Sequence, residues 1–371
     1  MFPNNIFVPK SIWNWGQNEG GKNMKLKEYN DKIDVIIPAY NVPDKILSRC
    51  LASIAMQECI DDVEVTIVDD ASTEENYKAV IKNFEPMMKI NLLRMEVNGG
   101  PGVARQYGLD HTSNGLITFV DADDTLIDSY SLVILRKLIE NNNAVMSIGS
   151  FEEIAKIEND FAFELREENY VWLFGKMFVR TFLEKNNIRF HKTSRANEDN
   201  GFLKICKFCA TYHRENIFTT RKPVYSWHFS ENSITRANNQ EYEFGTSTKD
   251  SFYGYIENML YAIEYAKNHE MFMYFYDTTL EEFITEVMVN AFTHYIRAVD
   301  LKKENADKTL EYCKWFYKEA YEEISGSIDK NELKNKIFET LKNEFNLGTM
   351  RGVQPTITFE QFLDKLKGDV Q

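Results

Sequence analysis

The residues best suited to chemistry are the carboxylates of Asp121-Ala122-Asp123-Asp124, which follow directly on Ile117-Thr118-Phe119-Val120. Three acids within four positions repel one another and raise each other's pKa. The cluster therefore calls for a counter-charge, and a hard divalent cation that also holds phosphate oxygens would supply it. The plainer alternative is a solvated turn in which Asp123 or Asp124 caps a helix beginning near Leu126. Asp69-Asp70 ends a second apolar run, Val63 to Val68, in the same way. Asn98-Gly99-Gly100-Pro101-Gly102 opens a helical stretch carrying Arg105, and its N–H groups could face an anion. Ile188-Arg189-Phe190 reads as a strand, and Glu198-Asp199 after it stands ahead of a helical run to Phe208; such acids suit either a helix start or a proton acceptor.

These residues need strands and helices to bring them to one rim. Ile33 to Ile37 reads as a strand that Pro38 terminates, because proline cannot donate to a ladder. Ala39, Tyr40 and Asn41 then fall in the following loop. A helical apolar period runs from Pro43 to Gln57, a strand from Val63 to Val68, a helix from Glu74 to Phe84, a strand from Ile90 to Met95 and a fourth strand up to Val120. Strands alternating with helices specify an α/β domain, a mostly parallel Rossmann-like sheet with helices on both faces. In such sheets ligands bind at the carboxyl ends of the strands, where Tyr40, Asp70, Asn98 and the Asp121 cluster would gather. Neither GxGxxG nor GxxxxGK[ST] is present, which argues against a nicotinamide enzyme or a P-loop NTPase.

Composition narrows the class. At 371 residues the chain exceeds the usual single core, so a second, smaller unit is expected. From about Gly245 the texture becomes helical, with one apolar face from Phe252 to Ile263 and another from Leu280 to Ile296. Helices near Leu310 to Ile324 and Asn331 to Phe345 follow, and Thr358-x-x-Gln361 reads as a capping box. The expected organisation is an N-terminal arm (1–31), a catalytic domain (32–244) and a helical C-terminal domain (245–371), whose helices could also support a homo-oligomer. A net charge of −14 argues against a sequence-independent nucleic-acid binder. No leader and no apolar run of the roughly 20 residues that cross a bilayer is found, so the expectation is a soluble, cytoplasmic protein. Cys206 and Cys209 have CxxC spacing but no completing ligands, and read as buried helix cysteines.

Taken together, IDVIIPAYN (33–41), VTIVDDAST (65–73), NGGPGVARQYGLD (98–110), ITFVDADDTL (117–126) and the stretch from Trp172 to Phe202 resemble family 2 of the GT-A fold glycosyltransferases in order and spacing. The resemblance covers about Ile33 to Arg236. It implies that Pro38, Ala39 and Tyr40 line a base pocket and that Asp70 accepts from uracil N3–H. Asn98 and Arg105 would face the nucleotide, although a surface ion pair is the other reading of Arg105. By the same resemblance, Asp121 and Asp123 form a DxD motif that holds a UDP-sugar through Mn²⁺ or Mg²⁺, and Asp199 is the general base of an inverting displacement. The 225–235 stretch resembles a loop over the diphosphate, with Ser233 as a contact; His228 stands where arginine is common and could equally be packed and structural. QxxRW is absent, which implies one sugar added per encounter. The acceptor hydroxyl stays open among a glycan, a protein, a lipid-linked sugar and a modified nucleic-acid base. A phosphosugar or nucleotidyl transferase, and a binding protein without turnover, are the alternatives.

Overall fold

The computed structural model describes residues 30–73, 77–157, 160–167, 170–194, 196–228, 251–274, 277–300, 306–322, 328–346 and 355–368. These belong to two compact units, one within Lys25–Ala237 and one within Asn238–Gln371. The expected boundary at 244, most of the expected arm and Ser233 lie outside the described residues.

The first unit runs β1 (Ile33–Ala39), α1 (Asp44–Ala55), β2 (Val63–Asp69), α2 (Tyr77–Phe84), β3 (Lys89–Arg94), α3 (Pro101–Asp110), β4 (Leu116–Phe119), β5 (Thr125–Leu126) and α4 (Ser131–Asn142). It continues with β6 (Ala144–Ile157), β7 (Asp160–Arg166), β8 (Lys176–Val179), α5 (Arg180–Lys185), α6 (Glu198–His213) and β9 (Asn216–Trp227). One nine-stranded sheet has the order β3-β2-β1-β4-β8-β6-β9-β5, with β7 paired to β6. Strands β1 to β4 are mutually parallel, as their alternation with helices requires. Beyond them the sheet is mixed, because β8 joins β4 antiparallel and β6 joins β8 antiparallel. Ile33, Val35, Ile36 and Ile37 of β1 are fully buried, as befits a strand covered on both faces.

Three local expectations are corrected. Pro38 does not end β1; it pairs in register with Val68, and the strand runs to Ala39. Ile36 accepts from Val120 N–H on the β4 side, so Pro38, two residues on, turns its missing donor to that same side, where β4 has already ended. Asp123 and Asp124 cap no helix, since Thr125–Leu126 is a short strand and α4 starts only at Ser131. Ile188-Arg189-Phe190 is not a strand; Ile188 and Phe190 are buried, and Phe190 stacks on Phe202 with ring centroids 4.2 Å apart. Side-chain packing, not a ladder, holds that segment.

The second unit is helical: α7 (Ser251–Asn268), α8 (Asp277–Asp300), α9 (Ala306–Phe316), continued by a π-helical turn Tyr317–Glu322, then α10 (Lys330–Asn346) and α11 (Phe359–Leu366). Its apolar faces enclose Ile256, Met259, Ile284, Val287, Phe292 and Phe316. The capping box on α11 is complete: Thr358 Oγ1 accepts from Gln361 N–H at 3.2 Å, and Gln361 Oε1 accepts from Thr358 N–H at 2.8 Å. No helix among the described residues is long and apolar enough to cross a membrane.

Candidate functional site

The loops leaving β1 and β2 are stitched together at the sheet rim. Asn41, at φ 51°, donates its N–H to Ser72 Oγ at 2.9 Å, and its Oδ1 accepts from Thr73 N–H at 2.9 Å. Between those loops Ala39 is buried, Pro38 half-buried and Tyr40 48% exposed, which leaves an aromatic face at the rim.

Asp70 follows β2 and is bonded to Ala39 O through its own N–H at 2.9 Å. Its carboxylate accepts from Gly99 N–H at 2.7 Å and from Gly100 N–H at 2.8 Å, and Asn98 Nδ2 donates to Asp70 O at 3.1 Å. Those loop N–H groups, expected to face an external anion, thus face the chain's own carboxylate. Gly100 sits at φ 88°, the left-handed region where glycine carries no Cβ penalty, and so delivers the chain into α3. Asp70, Asn98 and the first turn of α3 are one hydrogen-bonded piece.

Arg105 projects from that helix and is 6% exposed. Its Nη2 lies 2.6 Å from Asp121 Oδ1 and its Nη1 2.6 Å from Glu198 Oε1, while its Nε is buried without a partner. The two carboxylates hold its guanidinium protonated against the pull of burial. Arg105 is therefore a buried bridge between the acidic turn after β4 and the start of α6, not a surface ion pair.

The acidic turn is itself clamped. Arg49 Nη2 donates to Asp123 O, and Cys50 Sγ lies 3.6 Å from Asp121 O, both from α1. Asp124, 1% exposed, accepts from Tyr225 OH at 2.7 Å and from His228 N–H at 2.8 Å. Burial first, then the charges of Asp123 and Asp121, push its pKa well up. His228 is packed: its Nε2 meets Thr125 Oγ1 at 2.9 Å, and burial pulls its pKa down to about 4. That leaves the half-buried Asp121, whose side chain is 31% exposed, and the half-buried Asp123 as the carboxylates with access to a ligand. Among the described residues no three His, Cys, Asp or Glu side chains form a closed cage. A pair of accessible acids fits a Mg²⁺-like ion, which binds through one or two carboxylates and takes its other ligands from phosphate and water.

Asp199 occupies the first turn of α6, half-buried, with its Oδ1 accepting from Asn200 N–H at 2.9 Å. Phe202, one turn on, meets Phe119 of β4 edge-on at 6.1 Å, so the aromatic core fixes the helix start relative to the acidic turn. Burial, then the Glu198 charge, raises the Asp199 pKa to about 7, with Arg105 opposing. Such a carboxyl is poised to take a proton near neutral pH.

The structure thus gathers two groups of expected residues, Ala39–Asp70–Asn98 and Asp121–Arg105–Asp199, joined through α3. Two partners lay beyond the sequence reading. Glu198, read in the sequence as one of an acidic pair at a helix start and not as a partner of Arg105, is 6% exposed and holds Arg105. Lys176, 1% exposed, donates to the carbonyls of Trp172 and Phe174. Burial pulls its ammonium down to about 7 against the favourable charge of Asp199. Its only sequence signal is a lysine between Gly175 and the apolar Met177-Phe178-Val179.

Residues 34–217 match the family described as Glycosyl transferase family 2. The glycosyltransferase GlyA of Streptococcus pneumoniae is 33% identical over 141 residues, covering 38% of this chain and 20% of GlyA. The succinoglycan biosynthesis protein ExoO of Rhizobium meliloti is 27% identical, covering 55% of this chain and 62% of ExoO. The poly(ribitol-phosphate) beta-N-acetylglucosaminyltransferase TarS of Staphylococcus aureus is 28% identical over 187 residues, covering 46% of this chain and 31% of TarS. The chain spans less than two thirds of the length of each of these relatives. A crystal structure of S. aureus TarS 1–349 in complex with UDP-GlcNAc superposes with a TM-score of 0.63 at 19% identity, covering 85% of this chain and 92% of that one, a likeness of fold.

Proposed function

The chain belongs to glycosyl transferase family 2 through residues 34–217, and from that premise we propose that it moves one sugar per encounter from a UDP-sugar to an acceptor hydroxyl, inverting the anomeric carbon. The observation that carries the reading is Asp199: a half-buried carboxyl with its pKa near 7, tied through Glu198 and Arg105 to Asp121. Asp199 as carboxylate takes the proton of the acceptor hydroxyl, the oxygen bonds to the anomeric carbon, and the bond to UDP breaks on the opposite face. Asp121 and Asp123 would hold Mn²⁺ or Mg²⁺, which when bound supplies positive charge to the diphosphate as it leaves. Tyr40 offers an aromatic face to the base, and Asp70 an acceptor to uracil N3–H, beside the loop it anchors. A UDP donor is supported by the TarS structure with UDP-GlcNAc; the hexose or N-acetylhexosamine carried here follows from pocket shape, and the acceptor class is open.

The test is a panel of UDP-, GDP- and ADP-sugars labelled in the sugar and the β-phosphate, with and without a chelator. Expected is metal-dependent release of UDP with the label on water or acceptor. Movement of phosphate or UMP with the sugar would make the protein a phosphosugar or nucleotidyl transferase, and UDP binding without turnover a binding protein.

A further inference from the structure

Lys176 is a buried cation to which the sugar-transfer reading gives no task. It opens β8, is 1% exposed, and its backbone carbonyl accepts from Thr118 Oγ1 of β4 at 2.7 Å. Its Nζ donates to the carbonyl of Trp172 and lies 3.5 Å from that of Phe174, in the segment leading into the strand. Burying an ammonium is costly, and carbonyls supply dipoles rather than charge. Residues two apart share a face of a strand, so Lys176 points to the same side of the sheet as Phe178. On that side lies α6, whose Phe202 meets Phe178 edge-on with ring centroids 5.6 Å apart. Asp199 stands three residues before Phe202 and therefore on the same face of α6. The packing that seats Phe202 on Phe178 thus turns Asp199 toward β8, and the charge of Asp199 favours the Lys176 ammonium against burial.

Resting on the reading of Asp199 as the base, we propose that Lys176 is its positioning residue: the ammonium, tethered to the carbonyls of Trp172 and Phe174, keeps Asp199 in the ionised form that accepts the proton of the acceptor hydroxyl. Electrostatic coupling is mutual, so an ammonium favoured by the carboxylate favours the carboxylate in turn. Arg105 of α3 acts on Asp199 in the same sense, while Glu198 and Asp121 act against its ionisation. Arg105, however, is committed to Glu198 and Asp121 at 2.6 Å each. Lys176 adds positive charge from β8, an element that carries none of the donor-side residues. The same tether reaches the acidic turn. Phe174 stacks on Tyr225 with ring centroids 4.9 Å apart, and Tyr225 OH donates to Asp124 and accepts from Asp121 N–H.

The test separates charge from packing. Lys176→Gln keeps an N–H donor for the carbonyls but removes the charge. The rising limb of its kcat/KM should move to higher pH by about one unit, because a carboxyl that loses a nearby cation holds its proton more tightly. Sugar transfer should therefore fall below the parent at neutral pH and recover at alkaline pH, with UDP affinity unchanged. Thr118→Val removes the hydroxyl bonded to the Lys176 carbonyl and leaves the charge, so its limb should stay with the parent's. Should Lys176→Gln fail to fold, the coupling is read with Lys176 in place. Carbon NMR of lysine-labelled protein should show one lysine titrating near neutral pH in the parent and at lower pH in Asp199→Asn. An unmoved limb in Lys176→Gln, a limb moved equally by Thr118→Val, or a lysine titration indifferent to Asp199→Asn would each overturn the proposal. Sugar transfer by Asp199→Asn at close to the parent rate would instead remove the base itself, and this role of Lys176 with it.

Discussion

Glu198 lies against the bare backbone of Gly102: a Cβ built on Gly102 would stand 2.6 Å from Glu198 Cγ and 2.9 Å from its Cβ. The missing side chain lets α3 and α6 approach closely enough for Arg105, one turn further along α3, to reach both Glu198 and Asp121. Gly102→Ala should therefore displace Glu198 rather than a flexible chain end. The expected cost is about 1–3 kcal/mol of stability, the usual range for overpacking, with a larger proportional loss of sugar transfer. Melting temperature and turnover measured on one preparation check it; a variant with unchanged turnover would mean the two helices do not need this approach.

Arg105 is the positive centre of a buried triad. Arg105→Met keeps the length of the side chain but leaves Glu198 buried beside other acids without its counter-charge. Breaking a buried pair from one side costs about 3–5 kcal/mol, so a large fall in the urea midpoint is expected. Glu198→Gln should cost less, because Arg105 keeps Asp121. If Arg105→Met unfolds at the parent's midpoint, the triad contributes little.

The parts of this site that the sequence exposes are those set by neighbours along the chain. Apolar runs ending in Asp69-Asp70 and Asp121-Ala122-Asp123 mark strand ends, and the glycines at 99 to 102 mark a tight entry into a helix. Partnerships across the chain leave no such trace. Arg105 and Glu198 are 93 positions apart, and Tyr225 and Asp124 are 101 apart. The glycine loop looked ready for an external anion because Asp70, 29 residues earlier, could not be seen to fill it. Asp124 looked like a cap because caps are the local use of such an acid, whereas its partners come from β9 and the residue that follows it. The mixed half of the sheet escaped for the same reason: β8 pairs β4 across some 59 to 63 positions, and only long-range register tells parallel from antiparallel.

Asp70 joins an anchoring role to the proposed reading of the base. Its carboxylate satisfies two loop N–H groups, so Asp70→Ala leaves Gly99 and Gly100 donors in search of partners, at about 1–3 kcal/mol for each that stays buried. A lower melting temperature is expected even without nucleotide. Calorimetry should add weaker UDP binding and less preference for UDP over ADP or GDP. Unchanged melting with lost selectivity would reduce Asp70 to base recognition, and lower melting with full selectivity would reduce it to an anchor.

Asp199 makes a prediction in pH. Its folded pKa of about 7 lies above the ordinary carboxylate value of about 4, so between those two pH values the folded protein binds more protons than the unfolded chain. Its contribution to stability therefore falls as pH rises from about 4 to about 7, and is constant outside that window. Asp199→Asn removes the titration, so the variant should gain on the parent as pH rises from 5 to 8 in urea unfolding. Activity should run the other way, because the base must be ionised: kcat/KM of the parent should climb through about pH 7 to a plateau. Asp199→Asn should bind UDP as the parent does, yet transfer sugar about 10²–10⁴-fold more slowly. Parallel stability curves for the two proteins would show that Asp199 titrates normally, and transfer by the variant at close to the parent rate would take the proton acceptor elsewhere on the acceptor side.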